Sequence, residues 1–187
     1  MRSADDPISW NPQRIAVAGT SGAGKTTLCT QLAELTGYPQ VEIDSLHWGP
    51  DWTPRESFID DVDKFTAQQH WIIELQYRQV RPMITERADT LLWLDYSTPV
   101  KMQRLIRRTL RRRFGRQELW NGNTEPPLWT IFTRKEHIIR WGWDTRNALK
   151  PVVPTLEERF ANLTVVRLSS PKAARMWLQE LAVTARG

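Results

Sequence analysis

The plainest chemistry in this chain lies in Gly19, Thr20, Ser21, Gly22, Ala23, Gly24, Lys25 and Thr26, a glycine followed after four residues by Gly-Lys-Thr. Glycines at that spacing let the backbone curl until successive N–H groups point inward, and a helix starting near Lys25 adds its positive dipole end. Such a ring of amides holds phosphate oxygens. Lys25 adds a cation that can reach the β- and γ-phosphates of a nucleotide. The Thr26 hydroxyl is an oxygen ligand of the kind Mg²⁺ takes, and Thr27 completes the phosphate-side turn.

In open parallel sheets, ligands sit beyond the C-terminal ends of the strands, so acids that end strands are the next residues of interest. Asp44, Glu74 and Asp95 qualify. Asp44 precedes Ser45-Leu46-His47-Trp48 and has the chemistry either to orient an acceptor hydroxyl or to hold a metal-bound water. Glu74 is the candidate second acid on the metal side, with Thr26. Asp95 reads as the cap of the helix that starts near Pro99. His47, His70 and His137 are scattered, with no metal-ligand spacing among them.

Arg104, Arg107, Arg108, Arg111, Arg112, Arg113 and Arg116 crowd one short segment. Like charges four residues apart on a helix repel, and few acids lie nearby to neutralise them, so a polyanion is their natural partner. Arginines that close over phosphates stabilise the charge that spreads over oxygens during phosphoryl transfer. The same stripe could instead contact the backbone phosphates of nucleic acid, as in a nucleotide-dependent regulator or ATPase.

The elements needed to position these groups follow from hydrophobic spacing. A buried strand is predicted over 14–18, a helix over 25–35 with Leu28, Leu32 and Leu35 on one face, and a strand over 41–43. A loop rich in Trp and Pro leads to a helix over 54–68, then a strand over 71–75, a short helix over 78–87 and a strand over 90–94. The arginine helix runs over 99–114, with Met102, Leu105, Ile106, Thr109 and Leu110 as its inner stripe. One or two helices broken at Pro151 and Pro154 fill 128–160, before a last strand over 163–168 and a helix over 171–185. Strands that alternate with helices imply an α/β fold, a parallel sheet covered on both faces.

At 187 residues the chain fits one domain, with 1–13 expected as a flexible leader. No run approaches the length of apolar sequence needed to cross a membrane, and the first residues lack the apolar core of a secretory signal. The one cysteine, Cys29, rules out an internal disulfide framework and suits the cytoplasm. The net charge of +5 is concentrated in the arginine segment, and ten tryptophans are an unusual load, some of them in polar neighbourhoods suited to a ligand pocket.

With these residues placed, positions 14–181 resemble the P-loop kinases of the nucleoside-monophosphate kinase type. They are most similar to the adenylate-kinase-like group labelled DNA topology modulation proteins. The resemblance is carried by the phosphate loop, by Asp44 to Trp48, by Ala88-Asp89 leading to Leu94-Asp95, and by the arginine helix. It implies a three-layer fold with a five-stranded parallel sheet, an arginine-bearing lid over about 104–127, and an acceptor pocket between the second and third strands. By the same likeness Asp44 and Trp48 flank the acceptor, Arg78 falls where a phosphate-binding arginine is found, and Arg104, Arg108 and Arg112 are lid residues.

Glu74-Leu75-Gln76-Tyr77 departs from the group, replacing an aspartate and a glycine. Glu118-Leu119-Trp120-Asn121-Gly122-Asn123 matches another recurring piece, and both a base- or sugar-reading loop and a plain Asn-Gly turn account for it. The expected activity is transfer of a phosphoryl group from ATP, or GTP, with Mg²⁺, to a small acceptor that the sequence does not identify.

Overall fold

The computed structural model describes residues 1–115, 118–124, 126–131, 133 and 137–184. Its centre is β2 (Arg14–Ala18), four of whose five residues are buried. Ile15 and Val17 face one side of the sheet while Ala16 and Ala18 face the other, so each face seeds its own apolar core. β5 (Thr90–Leu94) is buried at every position and repeats this division, with Leu91 and Trp93 opposite Leu92 and Leu94. Near-continuous apolar strands of this kind are what a parallel sheet covered on both faces requires.

The other strands are β1 (Arg2–Ser3), β3 (Gln40–Val41), β4 (Trp71–Glu74) and β6 (Thr164–Leu168). All neighbours pair in parallel, in the order β1-β6-β5-β2-β4-β3. The sheet thus has six strands where the resemblance implied five. The additional one comes from the stretch expected as a leader. Arg2 and Ser3 pair with Val166 and Arg167, Ile8 is buried, and the Trp10 indole donates to Thr90 Oγ1 at 2.8 Å. An apolar anchor at Ile8 and a ring at Trp10 give this otherwise polar segment something to dock with.

The helices are α1 (Lys25–Thr36), α2 (Ile43–His47), α3 (Phe58–Thr66), α4 (Arg81–Arg87), α5 (Thr98–Phe114), α6 (Ile138–Asp144), α7 (Leu156–Arg159) and α8 (Pro171–Thr184). Gly37, left-handed at φ +73°, donates its N–H to Ala33 O at 2.8 Å and ends α1 where the sequence predicted. The second strand is shorter than its apolar run suggested, because Ile43 turns into α2 and Asp44 lies in that helix's first turn. Short 3₁₀ turns at Leu128–Ile131 and Val153–Thr155 stand where longer helices were expected, with Pro154 in the first turn of the second, a place that proline tolerates. No helix among the described residues is long and apolar enough to cross a membrane.

Candidate active site

The phosphate loop joins β2 to α1, and its shape depends on two left-handed glycines, Gly22 at φ +80° and Gly24 at φ +96°. At Gly22 a methyl group would also lie 2.3 Å from Lys101 O, so α5 packs directly on the loop. Gly142 of α6 approaches the same place, its notional methyl 2.4 Å from Leu105 Cδ2 and 3.5 Å from Ser21 Cβ. Apart from Ala23 N–H, which donates to Thr20 O at 3.1 Å, the loop amides of Ser21, Gly22, Gly24, Lys25 and Thr26 donate to no protein group among the described residues. Thr20 Oγ1 is buried there without a hydrogen-bond partner. Orphaned donors gathered around one loop at a helix start are suited to phosphate oxygens.

Below the loop, β4 delivers Glu74 from the neighbouring strand. Thr26 Oγ1 donates to Glu74 Oε1 at 2.6 Å, and Lys25 Nζ stands 3.9 Å from Glu74 Oε2. Glu74 is 3% exposed, and burial raises its carboxyl above the ordinary value against the opposing pull of Lys25 and the Thr26 hydroxyl. A hydroxyl and a carboxylate are hard oxygen donors, a set that fits Mg²⁺, which binds through few protein ligands beside substrate phosphates and water. No three His, Cys, Asp or Glu side chains converge as a metal cage among the described residues.

On the far side of β4, Asp44 Oδ1 accepts from Tyr77 Oη at 2.6 Å and from Gln76 Nε2 at 2.8 Å. Burial and then the Asp44 charge hold the Tyr77 phenol well above its usual range, so it donates as a neutral hydroxyl. The Tyr77 ring lies 3.9 Å from that of His47, which also packs edge-on to Phe58 and Trp48. Burial lowers the His47 pKa although Asp44 pulls the other way. The turn after β4 is therefore where Asp44 finds its donors. The sequence marked Glu74 as a metal-side acid and the turn as a departure from the group, and neither reading paired Gln76 or Tyr77 with Asp44.

The arginines divide. Arg78 is exposed and Arg81 half-buried, its Nε enclosed without a partner; burial, and then the neighbouring Arg78 charge, lower the Arg81 pKa. Neither pairs with a carboxylate among the described residues. Arg55 is committed elsewhere, 2.9 Å from Asp61 Oδ2. On α5, Arg104 Nη1 donates to Ala23 O at 3.4 Å and its guanidinium lies over the Tyr96 ring, against the phosphate loop. One turn on, Arg108 is half-buried, and Arg112 lies 5.7 Å from the centre of the Trp120 ring. Arg107 and Arg111 face outward, and Arg116 is outside the described residues. Asp95 does not cap α5: its Oδ2 takes two bonds from Arg167, at 2.9 and 2.6 Å, since β6 runs beside β5 there.

Trp48 begins a tight loop, closed by a bridge to Pro54, in which Asp51 and Trp52 are both left-handed at φ 54° and 55°. A second tight loop, closed by a bridge between Glu118 and Thr124, rests on the first. The Asn121-Gly122 turn expected there is present, with φ 55° and 81°.

A parallel sheet with this loop after its central strand is the fold of the P-loop kinases. Among solved structures the chain resembles a gluconokinase from Sinorhizobium meliloti 1021 at 21% identity and a TM-score of 0.51, over 94% of each chain. It also resembles a shikimate kinase from Acinetobacter baumannii in complex with shikimate, at 16% identity and a TM-score of 0.54, again over 94% of each. A shikimate kinase from Bacteroides thetaiotaomicron matches at 15% identity and a TM-score of 0.50, over 95% of this chain and 100% of that one. No family model matches the sequence, and no curated protein does.

Proposed function

We propose that this chain is a P-loop phosphotransferase that moves the γ-phosphoryl group of ATP to a small anionic acceptor. One arrangement carries the reading: unpartnered amides and the orphaned Thr20 hydroxyl surround the loop above Lys25, Thr26 and Glu74. The loop amides and Lys25 hold the phosphates, while Thr26 and Glu74 are the residues to hold Mg²⁺. That ion, when bound, offsets charge on the phosphate oxygens. Arg104, Arg108 and Arg112 form the inner side of a lid over about 104–127 and stabilise charge as the phosphoryl group moves.

At the acceptor side, Oδ1 of Asp44 is already taken by Gln76 and Tyr77, so Oδ2 is left to accept a proton from the acceptor hydroxyl. The acceptor oxygen forms a bond to phosphorus as the bond to the ADP oxygen breaks, and the hydroxyl proton passes to Asp44 and then to water. Arg78 and Arg81, lacking acid partners among the described residues, favour an acceptor that bears a carboxylate or phosphate, and Trp48 walls its site. The neighbours' names, gluconokinase and shikimate kinase, belong to the same broad class of small-molecule kinases.

The test is calorimetry with Mg²⁺ and ATP or GTP, followed by a panel of anionic metabolites assayed for nucleoside diphosphate release. Folded protein that takes up no purine triphosphate would refute the reading. The outward Arg107 and Arg111 support a second one, in which the nucleotide regulates binding to nucleic acid. Tight, steeply salt-dependent affinity for a short duplex, with no acceptor in the panel, would favour it.

A further inference from the structure

Asn123 is 4% exposed, and both polar atoms of its amide are used across two loops. Nδ2 donates to Gly49 O at 2.8 Å and to Trp120 O at 2.8 Å, while Oδ1 accepts the Trp52 N–H at 2.8 Å. Beside it, Asn121 Nδ2 donates to Trp48 O, and the Trp120 indole donates to Glu42 Oε2 at 2.7 Å. Trp48, Trp52 and Trp120 continue the contact as successive edge-on rings, 5.6 and 6.4 Å between centres. Four directed bonds therefore join the 118–124 turn to its surroundings, and three of them end on the backbone of Trp48, Gly49 and Trp52.

Those backbone groups belong to the loop that walls the acceptor side. Trp52 is held at φ 55°, a conformation a bulky residue rarely adopts, and Asn123 Oδ1 is the partner of its N–H. The other end of the turn reaches the nucleotide side, because the Arg112 guanidinium lies over Trp120 on the same helix that carries Arg104 and Arg108. Buried amides with every atom paired make stiff joints, since any displacement leaves several groups without partners at once.

We infer that Asn121, Asn123 and Trp120 are positioning residues: they fasten the acceptor loop (48–54) to the arginine helix, so that filling the nucleotide site also sets the acceptor wall. This rests on the proposed nucleotide reading of the phosphate loop. A ligand that engages the α5 arginines thereby stiffens a loop it does not touch, and the wall of the acceptor site is assembled only when the donor is in place. The consequence for chemistry is that phosphoryl transfer to an acceptor and closure over the donor become one event, which keeps water out of an unfilled site.

The experiment is amide hydrogen exchange with and without Mg²⁺ and the non-hydrolysable analogue AMP-PNP, on the wild type, Asn123→Ala and Trp120→Phe, with analogue uptake measured separately by calorimetry. In the wild type the analogue slows exchange over 48–54 as well as over 19–28. In Asn123→Ala, which removes two bonds to this loop, the 48–54 segment exchanges at least about tenfold faster without ligand, and gains no protection from the analogue while 19–28 still does. Trp120→Phe keeps a ring against Trp52 but loses the bond to Glu42, and gives an intermediate response while the fold is retained.

Full ligand-dependent protection of 48–54 in Asn123→Ala overturns the inference, as does its absence in the wild type when calorimetry shows the analogue bound. If calorimetry shows no uptake, the nucleotide reading fails and this coupling fails with it. Should Asn123→Ala not fold, the decision passes to Trp120→Phe and Asn121→Ala: wild-type protection in both overturns the inference.

Discussion

At the scale of single residues, Lys25 and Glu74 set the character of the site. They are 3.9 Å apart, and Glu74 is almost wholly enclosed, so the lysine offsets a charge that burial resists. Lys25→Ala is expected to cut turnover by roughly 10²–10³-fold and to weaken triphosphate binding more than nucleoside binding, as calorimetry with ATP and adenosine would show. Equal loss for both ligands would reassign the lysine to folding alone.

His47 offers a test with a pH sign. Its folded pKa lies below the unfolded value near 6.5, so the unfolded chain takes up the proton first. The stability it contributes is complete above that value and is lost as the pH falls through the window below it. His47→Phe, which keeps a ring among Trp48, Phe58 and Tyr77, should flatten the fall in melting temperature between pH 7 and pH 5; parallel curves would show that other groups govern that limb.

At the scale of elements, the seating of α5 on the phosphate loop decides how much change the loop tolerates. Gly22→Ala combines a left-handed backbone with a methyl 2.3 Å from Lys101 O, and is expected to cost about 2–4 kcal/mol, read as a melting point lower by roughly 5–15 °C. An unchanged midpoint would mean the helix does not rest there. Much of this region was legible in the sequence. Glycine spacing fixed the loop, the buried run at 14–18 fixed its strand, and the leucines fixed α1. The contacts between elements were not legible. Gln76 and Tyr77 meet Asp44 from 32 and 33 residues away, and Asn123 meets Gly49 from 74, so no local pattern announces them. Asp95 was misread for the same reason: its partner, Arg167, is 72 residues distant and reaches it only through the pairing of β5 with β6.

At the scale of the whole molecule, the sixth strand is the feature that composition concealed. Residues 1–13 are polar enough to read as a tail, yet Ile8 and Trp10 tie them to the core, and the terminal ammonium group pairs with Glu157. Ile8→Ala should lower the unfolding free energy by about 2–3 kcal/mol in a urea titration, whereas an exposed side chain would lose almost nothing. Because β1 pairs with β6, Arg2 and Ser3 find their sheet neighbour among the described residues more than 160 positions further along the chain. Until β6 has been made, Arg2 and Ser3 have no described strand to pair with. Proteolysis of nascent or carboxy-terminally shortened chains should start there, well before it reaches the nucleotide loop.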